Sequence, residues 1–189
     1  MSSTFPIAQR RQIRPGYMRA RVSSVITEAS GNAVIEFAFV APVLVVLIMN
    51  IFDFSALIWD KMEVDYSAQM GAQAAYKTCS TGTMPAKSNC SGLTTAVTTA
   101  VQSTSLGTGV NLATGSPSEI YYCVSGNALQ SVATYPSSPP ASCSACCGSS
   151  VAPGDYVEVD VNYSYSPVFA GLSLASAQTL SGKSVERLK

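Results

Sequence analysis

The sequence predicts an α+β protein whose long N-terminal transmembrane helix extends into a small antiparallel sheet head with one further short helix, stapled by disulfides. Three observations predict this class. Residues 37–52 contain no ionisable side chain, and the apolar run reaches the roughly 20 residues that cross a bilayer if it continues to Trp59. Residues 156–165 alternate apolar and polar side chains, as a half-buried strand does. All six cysteines follow the apolar run.

Charges on the two sides of the apolar run predict the orientation of the chain. Five arginines and a single acid precede the run, whereas acidic residues outnumber basic ones after it. The positive-inside rule then favours a cytoplasmic leader at residues 1–31, a transmembrane helix at 32–59 and a periplasmic or extracellular head at 60–189. An ordinary cleaved signal peptide is disfavoured because the apolar core of such peptides is shorter than the apolar run of this chain. A nucleic-acid-binding arm is disfavoured because aromatic residues are not interleaved with the arginines.

The head is predicted from patterns that follow the membrane segment. Small or apolar side chains continue at helical spacing to about residue 79, which indicates close packing of this helix against the head. A short amphipathic helix is expected within 93–106, and strands within 119–126, 156–165 and 175–187, giving a sheet of three or four strands. The loop 135–154 is rich in proline, serine and cysteine. The members of the small-residue stripe are Leu57, Val64, Ala68, Gly71 and Ala75.

An even number of cysteines beyond the span predicts disulfides in an oxidising compartment. Cys79 and Cys90 flank a turn-rich loop and suit a local bridge, and Cys123 suits a bridge to one member of the CSACC cluster. Adjacent Cys146 and Cys147 are not expected to pair with each other, because the ring would be strained. A zinc site or a redox pair within 143–146 is the weaker interpretation, since the chain has no histidine and no βαβ context. The disulfide candidates are Cys79, Cys90, Cys123, Cys143, Cys146 and Cys147.

No pattern in the chain indicates an enzyme. Without histidine there is no ordinary general base for a nucleophilic triad, and no phosphate-binding loop or nucleophile elbow occurs. We therefore expect no catalytic residue, no metal and no cofactor. Asp155, Glu158 and Asp160 are expected to form a solvated strand face, with weak calcium contacts as the alternative.

Glu36 stands at the N-terminal end of the apolar run, where a carboxylate needs a physical reason. The positive end of the helix dipole stabilises such a group by only about 0.3–1 kcal/mol. If the chain is cut after Gly31, however, Asn32 presents a free α-amine close to Glu36. The amine of one copy is then able to neutralise the carboxylate of another when helices pack in an assembly.

These residues carry a resemblance to a known family. Gly31, the glutamate at the fifth position after it and the following apolar helix resemble the signal that a membrane-embedded aspartic prepilin peptidase cuts in type IV pilins and pseudopilins. The longer pattern resembles the TadE-like family of the tight-adherence (Tad/Flp) pilus system. Two departures are Ile35, inserted relative to the commoner AVEF spacing, and Asp53, where glutamate is more usual. The matching positions are Ala33, Val34, Glu36, Phe37, Ala38, Pro42, Asp53, Phe54 and 71–75.

The resemblance implies a minor pilin or pseudopilin, or a membrane-anchored assembly component, that supports pilus biogenesis, adhesion and surface colonisation. It implies cleavage between Gly31 and Asn32, and it assigns assembly or processing roles to Glu36, Phe37, Pro42 and Asp53. The implied partners are the prepilin peptidase, other Tad pilins, inner-membrane Tad assembly proteins and the lipid bilayer, and no nucleic acid.

By the same resemblance the chain is expected in the bacterial inner membrane, crossing it once with a cytoplasmic N-terminus and a periplasmic C-terminal domain, or incorporated into the pilus. The alternative function is an uncleaved single-pass envelope protein whose periplasmic domain binds a partner or a carbohydrate. The N-terminus of the mature protein distinguishes the two.

Overall fold

The computed structural model describes residues 31–80 and 82–189, with side chains from residue 34 onwards. The predicted cytoplasmic leader lies, up to residue 30, outside the described residues. Within them the chain forms two compact units, one ending at Val45 and one spanning Val46–Lys189. The predicted α+β class is confirmed.

One long helix, α1, runs over Gly31–Cys79 and contains Pro42. Its segment Val34–Cys79 includes a strongly apolar stretch, of which only 6 % is buried within the protein. This is the one described helix long and apolar enough to cross a membrane, and it lies near the N-terminus. The described part of the first unit consists of α1 up to Val45.

The second unit adds three short α-helices to the remainder of α1. Helix α3 confirms the predicted amphipathic helix, because Leu93, Val97 and Val101 share its buried face. Helix α2 and helix α4 lie in segments for which the sequence predicted only loops. The three helices are α2 at Ala86–Asn89, α3 at Leu93–Val101 and α4 at Ser144–Cys147, with a single 3₁₀ turn at Gly107–Gly109.

The sheet has five antiparallel strands, more than the three or four expected. Strand β4 is central, because β5 pairs along one edge while β1 and β2 share the other edge end to end, and β3 pairs with β2. The alternation in β4 places Val157, Val159 and Val161 in the core, as predicted. The strands are β1 at Val110–Leu112, β2 at Ser118–Ser125, β3 at Ala128–Thr134, β4 at Gly154–Tyr165 and β5 at Gln178–Arg187.

The core lies where the second half of α1, residues 59–79, packs against the sheet and α3, as the small-residue stripe predicted. Val64, Ala68 and Ala75 are completely buried. A Cβ at Gly71 would lie 2.8 Å from Cγ2 of Val101, and a Cβ at Gly182 would lie 2.7 Å from the carbonyl oxygen of Val64. Glycine at these two positions therefore allows the helix to approach both α3 and β5 at backbone distance.

Two disulfides staple the head. Cys79 at the end of α1 is bonded to Cys90, and Cys123 in β2 is bonded to Cys143 just before α4. Both proposed pairings are confirmed, and the second one fixes which member of the CSACC cluster Cys123 uses. Cys146 and Cys147, which were also disulfide candidates, are free thiols.

Candidate functional site

The residues predicted to govern processing and assembly lie at the start of α1. Gly31 and Asn32 belong to the helix, and Glu36, Phe37 and Pro42 are exposed on it. An exposed carboxylate on an apolar helix is available to a group of another chain. The geometry is therefore compatible with the predicted contact between copies.

Large apolar side chains cover α1 between residues 34 and 58 and are exposed to the surroundings of the protein. Phe39 is 77 % exposed and Ile51 is 66 % exposed. A continuous apolar surface of this kind marks a site of contact with lipid or with another apolar surface. It is the expected surface of a membrane segment.

Asp53 is different, because its side chain is fully buried against its own chain. Its Oδ1 accepts hydrogen bonds from the backbone N–H groups of Val168 at 2.9 Å and Phe169 at 3.4 Å. Its carbonyl oxygen accepts a hydrogen bond from the Tyr165 hydroxyl at 2.9 Å. Within the described chain, Oδ2 has no hydrogen-bond partner. The acidic position of the family pattern thus holds the segment that follows β4.

Asn50 lies about one helical turn before Asp53 and holds the other end of that segment. Its Oδ1 accepts a hydrogen bond from the N–H of Leu174 at 2.7 Å, and its Nδ2 donates to the carbonyl of Leu172 at 3.2 Å. Nδ2 also donates to the carbonyl of Val46 at 2.8 Å. We call residues 166–177 the β4–β5 loop, and Asn50 and Asp53 fasten it to α1.

Asn50 was not among the predicted site residues, although the sequence carried a signal for it. It is the one side chain between residues 37 and 52 with hydrogen-bonding groups. A polar side chain within an apolar helix usually faces protein rather than lipid, which is the arrangement observed.

A second buried polar site joins β2 to β4. The Glu119 carboxylate is buried and accepts hydrogen bonds from the backbone N–H groups of Ala86 at 2.9 Å and Lys87 at 2.8 Å, which lie at the start of α2. Asp155 is buried beside it, and neither of its carboxylate oxygens has a hydrogen-bond partner within the described chain. Burial, followed by the proximity and the negative charge of the Glu119 carboxylate, raises the pKa of Asp155 to about 8.

The expectation of a solvated face for Asp155, Glu158 and Asp160 is therefore wrong for two of the three residues. Asp155 is buried, and Glu158 is only 8 % exposed and forms a salt bridge with Lys183 at 2.9 Å. Lys183 is the direct β5 partner of Asp160 and lies 4.0 Å from its carboxylate. Sequence reasoning missed this pairing because it requires the register between β4 and β5.

The cysteine cluster does not form a zinc site in the oxidised protein. The Sγ atoms of Cys123, Cys143 and Cys146 lie within 4.8 Å of one another, but the first two form a disulfide and so offer no thiolate. The hydrogen bond with Cys147, with a smaller contribution from burial, raises the pKa of the Cys146 thiol. A raised pKa is the opposite of what activates a redox nucleophile. The geometry thus favours neither alternative for the 143–146 segment.

Comparison with known proteins agrees with the resemblance that the sequence shows at the start of α1. A family model described as TadE-like protein matches residues 31–73. No curated protein and no solved structure is similar to the chain. The match covers the apolar first half of α1, which includes the helical turn with Asn50 and Asp53, and most of the small-residue stripe. Residues 31–73 are therefore a TadE-like segment, as the resemblance of the sequence predicted.

Proposed function

We propose that the chain is a minor pilin or pseudopilin, or a membrane-anchored assembly component, of a Tad-type pilus. The observation that carries the proposal is the TadE-like match over residues 31–73, which coincides with the one described helix able to cross a membrane. Its partners in this role are the prepilin peptidase, other Tad pilins and the inner-membrane Tad assembly proteins. Pilus biogenesis, and through it adhesion and surface colonisation, is the process it serves.

The two halves of α1 suit two tasks in such an apparatus. The first half presents an apolar surface to lipid or to neighbouring pilin helices, and the second half anchors a folded head. The two disulfides fit a head that lies in an oxidising compartment outside the cytoplasm. This orientation agrees with the excess of arginine before the span.

Glu36 is the residue to which we assign a contact between subunits. It is exposed on α1, and a lone carboxylate at the edge of hydrocarbon is costly unless an opposite charge approaches it. After cleavage at Gly31 the α-amine of Asn32 supplies that charge from a neighbouring copy.

The processing step is tested in cells that contain or lack the prepilin peptidase, with the intact mass and N-terminal sequence of the membrane-extracted protein as the readout. We expect a start at Asn32 only when the peptidase is present. Gly31→Val should block the cut, whereas the matched variant Gly16→Val, in the leader, should leave it unchanged. A leader that persists in both strains would instead support the uncleaved single-pass protein.

The contact between subunits is tested by Glu36→Ala. We expect normal membrane insertion and a marked loss of the subunit from purified pili, because the amine of the neighbouring copy loses its partner. Glu63→Ala, which removes an acid from the second half of the same helix, is the control and should not reduce incorporation. Normal piliation with Glu36→Ala would rule out the pairing of amine and carboxylate.

A further inference from the structure

The β4–β5 loop combines an apolar surface with an attachment to the membrane-type part of α1. We propose that this loop enters the apolar layer of the membrane beside α1 and forms a second membrane contact of the chain. The proposal rests on α1 crossing the membrane and does not require a role in a pilus.

The position of the loop along α1 is the first argument. Trp59 is the only tryptophan of the chain and suits the membrane interface. At 1.5 Å per residue, Asp53 lies about 9 Å and Asn50 about 13.5 Å before Trp59 along the helix axis, in the direction of the apolar run. Hydrogen bonds to these two side chains hold the loop at the same level. The loop therefore lies at the depth of hydrocarbon when Trp59 lies at the interface.

The side chains of the loop are the second argument. Val168 is 73 % exposed, Leu174 is 82 % exposed and Leu172 is also exposed. No aspartate, glutamate, lysine or arginine occurs between Asp160 and Lys183, so no charge opposes entry of the loop into lipid. Each Å² of apolar surface exposed to water costs about 25 cal/mol, so three exposed apolar side chains on one loop are unfavourable in water. Contact with lipid removes this cost.

The backbone of the loop is the third argument, because irregular backbone at membrane depth needs internal hydrogen bonds. Oδ1 of Asp53, Oδ1 of Asn50, the Phe169 carbonyl and the Ser173 hydroxyl supply the acceptors. The same bonds explain why an amide and a carboxylate are tolerated in this part of α1. The amide groups that donate within the protein are those of Val168, Phe169, Leu172, Ser173, Leu174 and Ala175.

Lipid is favoured over a second protein surface because the loop is fastened to α1 at the level of exposed side chains of α1 itself. Ile51 and Phe52 follow Asn50 directly and are both about two-thirds exposed, at 66 % and 64 %. A bilayer that surrounds these two residues on the helix also reaches a loop fastened to the flanking positions, Asn50 and Asp53.

Lipid contact is measured with the full chain reconstituted into phosphatidylcholine vesicles whose acyl chains carry bromine. In a Trp59→Phe background, Val168→Trp places the single tryptophan on the loop. Val151→Trp is the matched control, since Val151 is 69 % exposed and lies in the loop before β4. We expect brominated lipid to quench most of the emission at position 168 and little at position 151, and aqueous acrylamide to show the reverse order.

Leu174→Trp gives a second, independent reading on the same loop and should behave as Val168→Trp does. Equal acrylamide quenching at 168, 174 and 151, with no effect of brominated lipid, would place the loop in water and overturn the proposal. Protection of 168 and 174 from both quenchers would also overturn it, because protein, such as a second copy, would then cover the loop. The vesicles contain no other pilus protein, so the result is independent of the proposed function.

Discussion

The two halves of α1 differ in what surrounds them. Between residues 34 and 58 the side chains are mostly large, apolar and exposed, and Asn50 and Asp53 are the buried exceptions. Between residues 59 and 79 one face carries small side chains, and Val64, Ala68, Ala72 and Ala75 are at most 1 % exposed. The first half depends on apolar surroundings outside the chain, whereas the second half is packed by the chain itself.

The different surroundings explain why side chains are large in the first half of α1 and small on the packed face of the second half. A helix surrounded by lipid gains nothing from small residues except at helix–helix contacts, so large apolar side chains are favourable there. In the second half, Gly71 brings the backbone of α1 close to Val101 and Val159. A methyl group added at Gly71 would displace these side chains. Substitutions should therefore have unequal effects in the two halves.

The largest expected effect concerns the disulfide that closes the packed half. Removing it with Cys79→Ser and Cys90→Ser should lower the free energy of unfolding by about 3 kcal/mol, because the unfolded chain regains the freedom of the loop between these cysteines. The measurement is chemical denaturation of the full chain in detergent micelles, followed by near-ultraviolet circular dichroism.

Cys146→Ser with Cys147→Ser is the matched control, since both residues are free thiols. This pair of changes should leave the denaturation midpoint almost unchanged. Equal losses in the two double variants would mean that the bridge at the end of α1 does not stabilise the packed half.

The next effect compares the same substitution in both halves. Ala68→Leu should destabilise the head by about 2 kcal/mol, because the added atoms have no space in a fully buried position. Ala38→Leu, on the exposed first half, should leave the stability of the head unchanged. Similar midpoints for the two variants in the same denaturation experiment would contradict the difference between the halves.

The sequence predicted the features that repeat along one element. The span, the small-residue stripe and the alternation of β4 are periodic, so one strand or helix suffices to recognise them. The pairing of Cys79 with Cys90 followed from a short loop between them. These features establish the α+β class and the position of the core.

The features that the sequence did not reveal depend on contacts between distant segments. Strand β3 is mostly exposed and lacks alternation, although the Gly126–Asn127 turn before it is a two-residue hairpin signal. The burial of Asp155 depends on β2 placing Glu119 beside it. The attachment of the β4–β5 loop joins residues separated by more than a hundred positions, and no local pattern encodes such a contact.

The remaining prediction distinguishes the halves by their response to pH. Between Phe37 and Phe52 there is no group to titrate, whereas the head buries Asp155 with its pKa raised from 3.8 to about 8. The folded state keeps a proton that the unfolded chain releases. The stability contributed by Asp155 is therefore complete below about pH 4 and is lost as the pH rises through about 8.

Denaturation midpoints of the full chain in micelles between pH 5 and pH 9 measure this loss. In Asp155→Asn the side chain has nearly the same shape but no titrating proton. The denaturation midpoint of this variant should therefore vary much less between pH 5 and pH 9. Asp65→Asn removes an exposed acid paired with Lys61 on α1 and should retain the dependence of the unmodified chain. If Asp155→Asn kept the full slope, the pH response would belong to another group of the head. If the slope disappeared only in that variant, the packed region would be pH-sensitive through one carboxyl group, while the apolar first half would remain indifferent to pH.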